Sequence, residues 1–167
     1  MRKRTKAREI VLQILYQIDI GEDRYTDAWK KFWAEGNNLE FEDEIVDGYH
    51  KVISSEIKEF SAELASGIVN NLELLNKIIN EYAENWKLSR IAIVERNILR
   101  LAVYELLFCP QIPPAVSINE AVDLAKKYST LEAGKFVNGV LDKIRKAKLQ
   151  VSPKEKLTKM SNLQIVG

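Results

Sequence analysis

Residues 89–108, SRIAIVERNILRLAVYELLF, limit the fold more than any other stretch. Ile91, Val94, Ile98 and Leu101 recur at spacings of three, four and three, the period of an α-helix. Leu99, Ala102, Val103, Leu106 and Leu107 fill much of the remaining circumference. A helix apolar on nearly every side has to be surrounded, so this segment predicts a central helix, capped by Ser89 and running to about Phe108. CPQIPP at 109–114 cannot continue it, and SINE at 117–120 reads as a capping box opening the next helix through Val122, Leu124 and Ala125.

The other segments suit a shell for such a helix. Ala7, Val11, Ile14 and Ile18 make a stripe over residues 5–19, ended by Gly21. DAWKKFWAEG predicts a short aromatic helix, and an acidic stretch follows in which Ile45, Tyr49 and Val52 suggest one more. Residues 57–85 are periodic, with Gly67 or the Asn70-Asn71 pair as the break. A last core helix starts near Thr130, and the chain turns polar past Lys148. With no alternating strand pattern the expectation is an all-α bundle: one domain over residues 1–148 and a polar tail over 149–167.

Several function classes lack their residues. His50 is the single histidine and Cys109 the single cysteine, which leaves no triad base with a known partner spacing, no zinc ligand set and no internal disulfide. GKFVNG matches half of a phosphate-binding loop, but Val140 and Leu141 stand where the lysine and hydroxyl are needed. No enzyme activity, metal or cofactor is expected. Glu9, Gln13, Gln17 and Asp19 interrupt the apolar run that follows the basic start, unlike a signal peptide, and no stretch is apolar enough to span a membrane. A reducing, cytoplasmic setting fits the lone thiol.

Net charge is only +1, so what matters is its distribution. Arg2, Lys3, Arg4, Lys6 and Arg8 crowd the start of the chain, either as a solvated arm or as a phosphate-binding patch. At about 100° per residue, Tyr16 falls opposite the first helix's apolar stripe, covered by a neighbouring helix or displayed to a partner. In GKFVNGVLDKI the Asn-Gly pair suggests a hairpin, but Ala133, Val137, Val140, Leu141 and Ile144 form one helical stripe and put Asn-Gly on the polar side. Gly139 costs that helix about 1 kcal/mol relative to Ala. Phe136, Gly139 and Lys143 share an edge, so the glycine admits either a closely packed helix or a flat base stacked on Phe136 with lysines holding phosphates.

Taken in order, KAREIVLQILY, Trp86, SRIAIVERNILRLAVYELLF, IPPAVSINEAVDLAKKY and GKFVNGVLDKI resemble the NusB family of bacterial transcription antitermination factors. The resemblance covers the first helix and nearly all of residues 86–144. It implies an all-helical, NusB-like fold of two packed helical subdomains without enzymatic activity. It implies binding to the boxA element of nascent ribosomal RNA, as a single strand, together with the small-subunit ribosomal protein NusE. Other Nus factors and RNA polymerase would engage through that complex, and some relatives form a homodimer through the same surface.

Carried over by position, the resemblance assigns RNA contact to Arg4, Lys6 and Arg8, with Arg2 and Lys3 beside them, and to Glu132, Lys135 and Phe136, with Gly139 and Lys143 along the same edge. Partner contact falls on Tyr16 and Glu95. Two other classes fit the same residues: a targeting module for an RNA-modifying enzyme and a protein-binding adaptor. RNA binding that neutralises about four or five phosphates would lower log affinity against log salt with a slope of roughly −3 to −3.5, which a protein-only adaptor would lack.

Overall fold

The computed structural model describes residues 2–21, 24–34, 55–84 and 87–148; the side chain of Arg2 is outside that set. Helices α1 (Arg2–Gly21), α2 (Tyr25–Ala34), α3 (Ser55–Asn70), α4 (Leu72–Tyr82), α5 (Ile93–Phe108), α6 (Pro114–Tyr128) and α7 (Leu131–Lys148) follow in order, with one 3-10 turn at Leu88–Arg90. No strand occurs among the described residues, as the patterning predicts. The chain divides into two compact units, residues 1–66 and 67–167, with α3 running across the division. His50, Trp86, the acidic stretch with its expected short helix, and the tail past residue 148 lie outside the described residues.

In the first unit Ala7, Ile10 and Ile14 of α1 meet Ala28 and Phe32 of α2 and Ile57 of α3. Val11 and Leu15 are buried as well, so α1 hides a wider face than the predicted stripe, while Ile18 is only half-buried. Tyr25, Trp29, Trp33 and Phe60 pack against this cluster. The Trp29 and Trp33 rings are tilted at a centroid distance of 5.5 Å, and Phe32 meets Trp33 edge-on at 5.2 Å, arrangements that ring quadrupoles favour. Burial pushes the Tyr25 hydroxyl above its ordinary pKa.

The second unit is built around α5, which packs with α4, α6 and α7. Ile98, Leu99, Leu101, Ala102, Val103 and Leu106 are buried, in keeping with its predicted central place. Arg100, buried within it, finds partners: it donates from Nε to Asn76 Oδ1 at 2.8 Å and from Nη1 to Asn97 Oδ1 at 2.9 Å. The break between α3 and α4 falls at Asn71, whose Nδ2 donates to the Gly67 carbonyl at 2.8 Å. Gly67 has a different reason for lacking a side chain, because a Cβ there would overlap the Tyr104 ring.

Two predicted helix starts are displaced. Ser89 lies inside the 3-10 turn, closed by Arg90 N–H donating to the Lys87 carbonyl at 2.8 Å; Ile91 and Ala92 are then extended and α5 begins at Ile93. The SINE box does not open α6. Pro114 does, since its fixed φ and missing N–H suit the first helical position, and this leaves Ser117 buried in the helix, donating to Glu105 Oε1 at 3.1 Å. Thr130 caps α7 as expected, its Oγ1 accepting from Ala133 N–H at 3.0 Å. The predicted stripe of Ala133, Val137, Val140, Leu141 and Ile144 is buried.

Candidate nucleic-acid interface

α1 begins at Arg2, so the basic run forms the first turns of a helix and is not an arm ahead of it. Cations there face the positive end of the helix dipole, each unfavourable by a few tenths of a kcal/mol, and the first turn contains no acid. α3 offsets this. Lys3 Nζ lies 3.2 Å from Glu56 Oε2, and the Arg4 and Arg8 guanidinium carbons lie 5.0 and 5.8 Å from the centroid of the Phe60 ring. Lys3 and Arg4 are exposed and Lys6 is half-buried, whereas Arg8 is only 2% exposed. A surface pair such as Lys3 with Glu56 is worth at most about 1 kcal/mol, so a phosphate can displace the carboxylate cheaply.

On α7, Lys135 Nζ pairs with Glu132 Oε1 at 3.3 Å on the exposed side of the helix, and Phe136 is half-buried next to them. Gly139 follows one turn later, exposed, with nothing within 4 Å of the place a Cβ would occupy. The close helix packing weighed for this glycine is therefore absent at Gly139 and present at Gly134, where a Cβ would come 3.0 Å from Lys126 Cγ and 3.6 Å from Val122 Cγ1. Lys143 continues the edge and pairs with Glu84 at 3.0 Å. Glu132, Lys135, Phe136, Gly139 and Lys143 thus share one helix in the order predicted, beside an open space.

Tyr16 is 44% exposed and Ile20, one turn on, is 55% exposed, an apolar pair on the outer face of α1. Glu95, in the first turn of α5, is half-buried: Oε1 accepts from Ser129 Oγ at 2.8 Å, while Oε2 is buried and has no hydrogen-bond partner among the described residues. No group of three potential metal ligands occurs among the described residues, and no helix there is long and apolar enough to cross a membrane.

Residues 5–146 match the family model for the NusB family. The chain belongs to the NusB family. It is 37% identical over 155 residues to the transcription antitermination protein NusB of Thermodesulfovibrio yellowstonii, covering 88% of this chain and 94% of that protein. Among solved structures it is similar to T. maritima NusB, with 34% identity, a TM-score of 0.70, and 95% of this chain and 97% of that one covered. It is also similar to NusB in a crystal structure of the antitermination factors NusB and NusE in complex with double-stranded RNA, with 33% identity, a TM-score of 0.73, and coverage of 88% and 98%. The NusB-family match takes in Lys6, Arg8, Tyr16, Glu95 and the α7 group, and leaves Arg2, Lys3 and Arg4 ahead of it.

Within that NusB-family span the structure adds residues the sequence did not single out. Phe60 is one, since spacing cannot tell which basic side chains will reach across to a ring on another helix. Tyr128 and Leu131 are others, 43% and 68% exposed at the corner between α6 and α7, with Lys127 Nζ 5.4 Å from the Tyr128 centroid. Periodicity after Ala121, Leu124 and Ala125 would bury Tyr128, but α6 ends there and the ring stays outside.

Proposed function

We propose that this chain is a non-enzymatic transcription antitermination factor that binds the boxA element of nascent ribosomal RNA together with the ribosomal protein NusE. The observation that carries the reading is the open space at Gly139, bordered by Phe136 and by lysines whose acidic partners are solvent-exposed. An unstacked base needs an aromatic face and its phosphates need cations, a combination suited to a single strand. Lys3 and Arg4, with Lys6 beside them, offer a second cationic surface on α1, with Arg2 at its start. Tyr16 with Ile20, exposed on α1, suit a protein partner, which adds contact area and specificity to a small basic patch; Glu95, half-buried at the start of α5, is the acidic contact that the resemblance assigns to that partner. Support also comes from the similar NusB solved with NusE and RNA.

In this reading other Nus factors and RNA polymerase engage through the RNA–NusE complex in the cytoplasm, residues 1–148 carry the function, and a homodimer would compete for the same surface. Fluorescence anisotropy tests it, comparing a boxA-like single strand, a scrambled strand and a duplex, with and without NusE, over a salt series. Preference for the boxA strand, strengthened by NusE and weakened by Phe136→Ala or Arg4→Ala, is the expected result. Equal or absent binding in every condition by folded, monomeric protein would overturn it and leave a protein adaptor. Preference for the duplex would shift recognition from base stacking to backbone shape.

A further inference from the structure

We infer that Phe60 is the positioning residue for the arginines of the basic helix start, holding the Arg4 guanidinium in place to receive a phosphate. This rests on the RNA-binding reading above. Two guanidinium carbons, from Arg4 and Arg8 one helical turn apart, lie 5.0 and 5.8 Å from the same ring centroid. Like charges on adjacent turns repel, and Arg4 stands in the first turn of α1, at the unfavourable end of its dipole, so an attraction at the ring favours this arrangement. The ring quadrupole supplies it.

The ring is itself fixed, because Phe60 packs against the cluster of Ala7, Ile10, Ile14, Ala28, Phe32 and Ile57. One end of the assembly is therefore anchored in the apolar core and the other is exposed Arg4. A free arginine carries about 2 kcal/mol of rotamer entropy, and ordering it before RNA arrives lowers the cost of binding. Guanidinium hydrogen-bond donors lie in its plane, so contact with the ring does not use them up. Arg8, 2% exposed, acts beneath Arg4 as part of this support and is not the group that meets solvent. Lys3 with Glu56 repeats the pattern one residue earlier, α3 again holding a cation of α1.

Phe60→Leu keeps an apolar side chain against the cluster and removes the quadrupole; Phe60→Tyr keeps the ring. The full chain and both variants are compared for thermal unfolding, RNA affinity by anisotropy, and the NMR signals of the arginine Nε–H groups without RNA. The expected result is an Arg4 Nε–H signal shifted by the ring current in the parent and in Phe60→Tyr, and lost to averaging in Phe60→Leu. RNA affinity should fall about two- to fivefold in Phe60→Leu only. In an Arg4→Ala background most of that fall should vanish, whereas general loosening of the first unit would persist.

Unshifted arginine signals in the parent, or an equal fall in both backgrounds, would overturn the inference and leave RNA binding standing. Wild-type protein with the ring-current shift but no RNA affinity would overturn the functional reading, and the phosphate role of Arg4 with it.

Discussion

Replacing Gly139 with alanine should raise stability and lower RNA affinity at once. Glycine in a helix interior is less favourable than alanine by about 0.8 to 1 kcal/mol, because the unfolded chain loses more freedom. At most sites steric cost blurs that gain, but nothing lies within 4 Å of the new methyl here, so the full amount should appear. For a chain of this size 1 kcal/mol raises Tm by roughly 2 to 4 °C, readily read by circular dichroism. The same methyl would stand in the open space beside Phe136. If a base stacks there, a contact worth about 1 to 3 kcal/mol is partly lost, and a loss of about 1 kcal/mol is roughly a fivefold rise in Kd. A Tm that stays level or falls would refute the structural premise. A higher Tm with unchanged RNA affinity would refute the assignment of the space to RNA.

Gly67→Ala should do the opposite to stability, since the Cβ overlaps the Tyr104 ring, itself stacked on Phe108 at 5.0 Å; overpacking of about 1 to 3 kcal/mol outweighs the helical gain and Tm should drop. Thr130→Ala removes the cap on α7 and should cost about 1 kcal/mol by urea unfolding, with Thr130→Ser restoring it. The hydrogen bond from Lys146, helped by that lysine's charge and by Arg145, holds the Asp142 carboxyl below its usual 3.8. Its stabilising contribution is therefore present above pH 3.8 and lost as pH falls through the lower folded value; a carboxyl NMR titration with a midpoint at or above 3.8 would contradict this.

The helical periodicity of residues 89–108 and 133–144 was legible because burial follows the repeat: the neighbours of α5 and α7 cover the faces the spacing marks as apolar. Helix starts were less legible. Ser89 and Ser117 both have capping chemistry, but a 3-10 turn absorbs the first and Pro114 pre-empts the second, leaving Ser117 to satisfy buried Glu105. On α7 the sequence singled out Gly139 because it violates helix propensity on a polar face, but left close packing and an open space as alternatives; only the structure shows the space to be open. The α1 part could not be read in detail. Its five cations look alike in sequence, and only the packing of α3 separates exposed Arg4 from buried Arg8 and shows Phe60 beside both.

On the RNA-binding proposal, a chain with net charge +1 must discriminate by more than attraction, and the carboxylates beside its cations offer a means. Lys3 is paired with Glu56, Lys135 with Glu132 and Lys143 with Glu84, all exposed pairs of modest worth. Each lysine that moves to a phosphate leaves a carboxylate that gathers a cation from solution, opposing the counterion release that drives non-specific binding. A ligand offering only charge gains little; one that also stacks a base beside Gly139 gains the difference. Glu132→Gln should therefore release Lys135, tighten binding to a scrambled strand more than to a boxA-like strand, and steepen the salt slope by up to about 0.7 for the one phosphate concerned. Parallel salt series on the two strands would measure this, and an equal change in affinity for both would refute a filtering role for Glu132.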